Sequence, residues 1–161
     1  MKCYFLRHGI AVEPDSWTGS DFDRPLTRDG QQRMEREAKA ISELSLGLDR
    51  IVTSPLLRAR QTAQIVADRL DLLERFVEDA RLGGGFNAER LREILMAQAD
   101  ASSIMLVGHE PAMSATIGRV VGGASIELKK AALAGVEFAH AGSTTGTLFC
   151  LIPPKVLVKL G

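Results

Sequence analysis

"MKCYFLRHGIAVE", residues 1–13, opens the chain with a short apolar run that ends abruptly in a cation, an imidazole and a glycine. The run Cys3–Leu6 has the aromatic and aliphatic side chains of a buried strand. Arg7, His8 and Gly9 follow it directly. Ligands of parallel α/β sheets gather at the carboxyl ends of the strands. This stretch therefore predicts a first strand that delivers Arg7 and His8 to a ligand site.

The rest of the chain alternates between strand and helix patterns. Strands are predicted over 3–7, 50–54, 75–79, 103–108, 133–139 and 146–152, and helices over 28–45, 56–70, 88–98 and from Pro111 to Gly122. Thr27 and Asn87 are the expected N-caps of two of these helices. The alternation predicts an α/β fold, a three-layer α/β/α sandwich with a central mainly parallel sheet, in a single domain over residues 1–161.

The composition is that of an ordinary globular enzyme or binding domain. The chain has 161 residues, is 45% hydrophobic and 25% charged, and has no net charge. A neutral chain argues against nucleic acid or an anionic membrane as a partner. No apolar run approaches the roughly 18 residues of a membrane span and no secretory signal pattern is visible, so we expect a cytoplasmic protein. Cys3 and Cys150 lie in apolar runs and are expected to be buried thiols.

Polar residues also follow two other predicted strands. Ser54 and Pro55 follow the second strand, and the sequence "GHEP", residues 108–111, follows the fourth. Pro55 and Pro111 suit the first turns of the next helices, whose free amides and positive dipole ends attract anions. Arg58, near the start of its helix, opposes that dipole unless an anion lies between them. The residues at this edge of the sheet predict a phosphate pocket.

Each of these residues has an ordinary structural interpretation when it is taken alone. Arg7 and His8 fit a solvated turn, and His109 fits a hydrogen-bonded core imidazole. Their conjunction favours a site, because two of the three histidines of the chain follow predicted strands. His140, in a turn, is interpreted as structural or surface. A serine–histidine–carboxylate triad through Ser54 is less well supported, because no GxSxG pattern surrounds that serine.

Four motifs in order, "LRHG", "RPLT", "SPLLRARQTA" and "VGHEP", resemble those of the histidine phosphatase superfamily, which has the phosphoglycerate mutase-like fold. The sequences "DRPLT" and "GHEP" are most similar to the motifs of its small SixA-type phosphohistidine phosphatase branch. The resemblance implies that His8 is the nucleophile and forms a covalent phosphohistidine. It also implies that Arg7, Arg58 and a further arginine, Arg24, hold the phosphate, that His109 donates a hydrogen bond to it, and that neither metal nor cofactor is required.

One departure concerns the general acid. Larger members of the superfamily place a carboxylic acid after the third strand, near Ala80 of this chain. Glu78 and Asp79 are adjacent but out of register, and Glu110 is a surrogate. An alkoxide leaving group needs a proton, whereas a ring-protonated phosphohistidine expels neutral imidazole; with a histidine pKa of about 6.5, much of that proton is already supplied by the substrate. The missing acid favours a P–N bond in the substrate.

The leading hypothesis is therefore a metal-independent phosphohistidine phosphatase. The partner would be a phosphorylated protein, such as a histidine phosphotransfer domain, or a small phosphorylated substrate. One alternative is a phosphatase for small phosphoesters that uses Glu78, Asp79 or Glu110 as acid. The other is a non-catalytic phosphate-binding domain. The loops 17–22 and 83–87 are the expected walls of the site.

Overall fold

Six strands form one mixed sheet in the computed structural model, which describes residues 1–159. They are β1 (Lys2–Arg7), β2 (Arg50–Thr53), β3 (Phe76–Glu78), β4 (Ser103–Gly108), β5 (Leu133–Glu137) and β6 (Thr147–Ile152). Their spatial order is β3-β2-β4-β1-β5-β6. The strands β3, β2, β4 and β1 run parallel, and β5 and β6 close the sheet as an antiparallel pair. The predicted mainly parallel sheet is confirmed.

Helices cover both faces of this sheet. They are α1 (Arg28–Glu43), α2 (Leu57–Arg69), α3 (Ala88–Ala97), α4 (Ala112–Val120) and the short α5 (Pro154–Leu157). The helices α1 and α2 pack on one apolar cluster, and α3 and α4 pack on the other. These layers are the predicted α/β/α sandwich. Across residues 1–159, the helices fall short of the length and apolar character that a membrane crossing requires.

The helix starts follow from local hydrogen bonds. The Thr27 side chain accepts from the Gly30 amide at 2.9 Å, and the Asn87 side chain accepts from two amides at the start of α3. Both predicted caps are confirmed. The two prolines precede the helices instead of lying in their first turns: α2 begins at Leu57, two residues after Pro55, and Pro111 is the N-cap of α4. The Leu56 carbonyl, which accepts from Arg60, starts the hydrogen-bond ladder of α2.

Strand β4 forms the centre of the core, and every one of its residues is buried. It lies between β2 and β1, and its side chains pack alternately into the two helix-covered clusters, Ile104 and Leu106 into one and Met105 and Val107 into the other. Cys3 of the neighbouring strand is fully buried, as predicted, whereas Cys150 on β6 is partly exposed. Both thiols are free, and burial raises the pKa of each. The buried centre fixes where the strands end and therefore where the polar residues after them lie.

Candidate active site

The carboxyl ends of three adjacent parallel strands bring the predicted site residues together. Arg7 pairs with Gly108 in the register of β1 and β4, and the His8 amide donates to the Gly108 carbonyl at 3.1 Å. The Ser54 amide continues the β2–β4 ladder by donating to Val107. His109 follows Gly108, and its ring centroid lies 5.3 Å from that of His8. The structure thus places the two imidazoles side by side.

The ring of His8 is oriented by the backbone of the next residue. Its side chain is buried, with the residue 7% exposed, and Nδ1 lies 2.7 Å from the Gly9 carbonyl oxygen. A carbonyl oxygen can only accept, so Nδ1 carries the proton. In the neutral ring the lone pair is therefore on Nε2. That nitrogen is available as a nucleophile.

The surroundings keep both imidazoles neutral. The pKa of His8 is lowered to about 3, with burial as the largest cause; the charges of His109, Arg58 and Arg7 also lower it, and the Gly9 hydrogen bond opposes them. Burial also lowers the pKa of His109 to about 4, with Arg58 as the largest charged contributor. Neither ring needs a base to remove a proton near neutral pH. The same positive field that disfavours imidazolium favours a bound anion.

The turn after His8 is anchored to α2. The Gly9 amide donates to the Thr62 hydroxyl at 3.0 Å, and that hydroxyl donates to the Arg58 carbonyl at 2.7 Å. A Cβ on Gly9 would lie 2.7 Å from Cγ of the buried Met34, so only glycine fits this close approach. Thr62 was not predicted from the sequence. Its position one helical turn after Arg58 inside the quoted "SPLLRARQTA" motif was the available signal.

Three arginines approach the site from separate segments. Arg58 is 6% exposed and donates through Nη1 to the Asp21 carbonyl at 2.9 Å and through Nη2 to its carboxylate at 3.1 Å. Arg24 donates through Nε to the same carboxylate at 2.8 Å and through Nη1 to the Val12 carbonyl at 2.6 Å. Asp21 thus bridges two of the predicted phosphate-binding arginines. Arg7 donates to the Leu128 carbonyl at 3.0 Å.

Three buried side-chain nitrogens around His8 lack a hydrogen-bond partner among residues 1–159. They are Nε of Arg7, Nε of Arg58 and Nδ1 of His109. The other ring nitrogen of His109 lies 2.8 Å from the Ser54 hydroxyl, which also accepts from the Leu56 amide. A hydroxyl that donates to Nε2 leaves the proton of neutral His109 on Nδ1. Buried donors are rarely left unpaired, and a tetrahedral oxyanion supplies the acceptors that these three lack.

The same contacts argue against a serine–histidine–carboxylate triad. Such a triad needs a carboxylate on the second ring nitrogen of the histidine. Nδ1 of His109 has no hydrogen-bond partner in the described part of the chain, and Ser54 is fully buried. Ser54 therefore orients His109. The sequence motif contained this serine, but the contact with His109 was not predicted.

Two of the three candidate acids are engaged by arginines. Glu78 pairs with Arg60 at 3.0 Å on the surface. Asp79 accepts from the Arg81 guanidinium and amide, and the guanidinium hydrogen bond is the main cause of its lowered pKa. An ionised, paired carboxylate is a poor proton donor.

Glu110 is in a different position from the other two candidates. One of its carboxylate oxygens accepts from the Ser114 amide at 3.0 Å in the first turn of α4. Its negative charge opposes the burial that lowers the pKa of Arg7. Of the three candidate acids, Glu110 is therefore the one whose charge acts on a predicted phosphate ligand, Arg7.

The remaining predictions concern His140 and the two loops expected to form the walls of the site. His140 lies in an exposed turn after β5, at the opposite end of the strands from His8. The loop 17–22 reaches the site through Asp21, and Trp17 stabilises it by donating to the Ser20 carbonyl at 2.8 Å. In the loop 83–87, Phe86 is buried in the α3–α4 cluster. Among residues 1–159, the His, Cys, Asp and Glu side chains form no group of three that could hold a metal ion.

Comparisons with known proteins identify the superfamily to which this fold and sequence belong. The sequence model of the histidine phosphatase superfamily (branch 1) matches residues 3–83. The chain belongs to this superfamily. It is 34% identical over 165 residues to an uncharacterized protein of Picosynechococcus sp., with 98% of this chain and 99% of that one covered.

More specific likenesses concern SixA proteins. The chain is 35% identical over 72 residues to the phosphohistidine phosphatase SixA of Escherichia coli K12, covering 45% of this chain and 43% of that one. The structure of the protein histidine phosphatase SixA complexed with tungstate has a TM-score of 0.85 at 25% identity, covering 96% and 98% of the two chains. The alpha-ribazole phosphatase of Shigella flexneri shares the fold, with a TM-score of 0.74 at 17% identity and coverage of 96% and 97%.

Proposed function

We propose that this protein is a metal-independent phosphatase that hydrolyses phosphohistidine through a covalent phospho-His8 intermediate. The observation that carries the proposal is the set of three buried, unpartnered nitrogens, on Arg7, Arg58 and His109, beside a histidine whose Nε2 holds a free lone pair. A bound phosphoryl group would satisfy these donors and stand in front of that nitrogen. Arginine forks match phosphate oxygens in shape and charge.

In the first step, the Nε2 lone pair of His8 attacks phosphorus. A new P–N bond forms as the bond between phosphorus and the substrate imidazole breaks, and the electron pair leaves with that imidazole. Cations fixed around the phosphoryl oxygens offset the negative charge that would repel the nucleophile. A substrate ring that is already protonated at its other nitrogen departs as neutral imidazole, so this step needs no proton from the enzyme.

In the second step, water attacks the phosphorus of phospho-His8. The P–N bond breaks, Nε2 regains its lone pair, and the two protons of the water leave on orthophosphate. The hydrogen bond from Nδ1 to the Gly9 carbonyl keeps the phosphorylated ring protonated. A protonated ring is a good leaving group, so the same contact that exposes the lone pair also makes the intermediate labile.

The state of the candidate acids supports a P–N substrate over an alkyl phosphoester. Asp79 and Glu78 are paired with arginines, which leaves Glu110 as the carboxyl that could protonate an alkoxide. The likeness to SixA proteins, one of them complexed with the oxyanion tungstate, points the same way. The fold is shared with the alpha-ribazole phosphatase, so the fold alone does not select the substrate.

The test compares initial rates on free phosphohistidine, a phosphorylated histidine phosphotransfer domain, an aryl phosphate and an alkyl phosphate. We expect His8→Ala to lower phosphohistidine turnover at least about a thousandfold, and His140→Ala, the matched histidine control, to leave it unchanged. Activity is expected to survive a chelator. Asp79→Asn and Glu110→Gln should retain phosphohistidine turnover within about tenfold.

Three outcomes would contradict the proposal. Alkyl phosphate turnover that exceeds phosphohistidine turnover and disappears in Glu110→Gln would favour the phosphoester phosphatase. Tight phosphate binding without turnover of any substrate would favour the non-catalytic phosphate-binding domain. Activity lost to a chelator and restored by a divalent cation would remove the metal-independent mechanism.

A further inference from the structure

A groove with a volume of about 810 Å³ lies beside the candidate active site. Its lining comes from Arg7, residues 9–10 and selected residues within the segments 30–37, 127–131 and 154–159, and we refer to it as the α1–α5 groove. Arg7 belongs to both the groove and the phosphate site. The groove therefore adjoins, through Arg7, the place where the proposed mechanism holds the phosphoryl group.

The topology places the groove and His8 at the same end of the strands. The start of β5 lies beside the end of β1, because Leu133 pairs with Leu6. The end of β6, from which α5 follows, lies there too, because Ile152 pairs with Leu133. The start of α1 is tied to the same end by the Thr27 amide, which donates to the Ile10 carbonyl at 3.0 Å. A partner that covers this end meets both surfaces at once.

The groove concentrates positive charge in a chain with no net charge. Its lining includes seven Lys and Arg side chains and two carboxylates. Burial raises the pKa of one of these, Glu37, to about 7, so it offsets the cations only in part near neutral pH. Within residues 1–159, four exposed cations of the groove form no salt bridge with a carboxylate: Arg36, Lys129, Lys155 and Lys159.

The groove combines this basic rim with an apolar floor. Ile10, Pro154 and Val158 contribute accessible carbon surface to the groove, and its lining also includes Met34 and Ala131, which are buried. Four of the seven cations are lysines, which act as mobile point charges and suit a row of carboxylates better than a second fixed phosphate. An apolar floor between cationic rims is complementary to an amphipathic helix with acidic flanks.

We propose that the α1–α5 groove docks an acidic amphipathic helix of a phosphorylated protein, and so presents the phosphohistidine of that protein to His8. This inference rests on the proposed function, because it assigns the protein-borne form of the same substrate. Charged side chains at the rim of such a surface raise the rate of encounter and make it sensitive to salt. The groove would therefore act on the protein substrate and leave free phosphohistidine unaffected.

The test uses Lys129→Glu/Lys155→Glu, which reverses two exposed charges of the groove. The matched control is Lys39→Glu/Arg75→Glu, two exposed cations outside the groove that give the same change in net charge. Turnover of a phosphorylated histidine phosphotransfer domain and of free phosphohistidine is measured at about 0.05 M and about 0.5 M salt. Urea unfolding of each variant checks that the fold is intact.

We expect the groove variant to lower kcat/KM for the phosphorylated domain about tenfold at low salt, with a smaller loss at high salt. The turnover of free phosphohistidine by the groove variant should stay within about twofold of wild type. The control variant should stay within about twofold of wild type on both substrates. An equal loss in the control variant would show a general charge effect and overturn the inference. An equal loss on free phosphohistidine would make the groove part of a small-anion site and would also overturn it.

Failure of the proposed function is distinguishable from failure of the docking site. If the wild type turns over neither substrate, the proposed function fails. Docking is then measured directly, as the affinity of the phosphorylated domain for His8→Ala with and without the two groove reversals. Salt-sensitive weakening by the reversals supports the docking site, and unchanged affinity refutes it.

Discussion

Lowering the pH from about 8 to about 5 is expected to destabilise the folded chain through His8. In the fold, burial and the neighbouring cationic groups hold the pKa of His8 at about 3. In the unfolded chain the same imidazole has its ordinary pKa of about 6.5. As the pH falls below about 6.5, the unfolded state takes up a proton that the folded state refuses, so the free energy of unfolding decreases. The decrease continues until the folded imidazole also protonates, at a pH of about 3.

The size of the effect follows from these two pKa values. At about pH 5, nearly all unfolded His8 is protonated and the folded ring is neutral, which corresponds to a loss of about 2 kcal/mol. This figure hardly depends on the exact pKa in the fold, because any value well below 5 leaves the folded ring neutral. Since His8 is 7% exposed, screening by solvent reduces the effect little.

The measurement is urea unfolding of the wild type and His8→Asn at both pH values. The Asn side-chain nitrogen takes the place of Nδ1 and can still donate to the Gly9 carbonyl, and the other groups that titrate in this range are common to both proteins. Acidification should therefore cost the variant about 2 kcal/mol less than the wild type. Equal losses would mean that folded His8 protonates near its ordinary pKa, and the account of a positive, dry pocket around it would be wrong.

Two substitutions test the scaffold and the orientation of His109. Gly30→Ala would bring a Cβ within 2.0 Å of the Ile10 carbonyl oxygen, whereas a Cβ added at Gly84 would have no other atom within 4 Å. We expect urea unfolding to show a loss of at least about 2 kcal/mol for the first and less than about 0.5 kcal/mol for Gly84→Ala; equal stabilities would contradict this. Ser54→Ala removes the partner of His109 Nε2 and should lower kcat about tenfold with little change in KM, and an unchanged kcat would refute the orienting role.

The parts of the fold that were predicted depend on local patterns. The apolar runs of β1 and β4 are short and end in polar residues, so their ends can be located from the sequence. Thr27 and Asn87 cap helices through hydrogen bonds that span only a few residues. The neighbouring positions of His8 and His109 then follow, because parallel strands end at one edge of the sheet.

The parts that were missed depend on contacts between distant segments. Asp21 lies in a polar loop, and its contact with Arg58 spans 37 positions of the chain. The loop conformation is fixed by that tertiary contact and has no periodic signal of its own. Lys129 and Lys155 resemble ordinary exposed charges in the sequence, and only the pairing of β5 with β6 brings them to one groove.

The most direct measurement traps the reaction of the wild type with labelled phosphohistidine, under alkaline quench to preserve P–N bonds, and maps the labelled atom. We predict a phosphoryl group on Nε2 of His8, and no label in His8→Ala. Label on His109, label on Nδ1 of His8, or steady turnover with no labelled protein at any time would contradict the claim that Nε2 of His8 is the nucleophile.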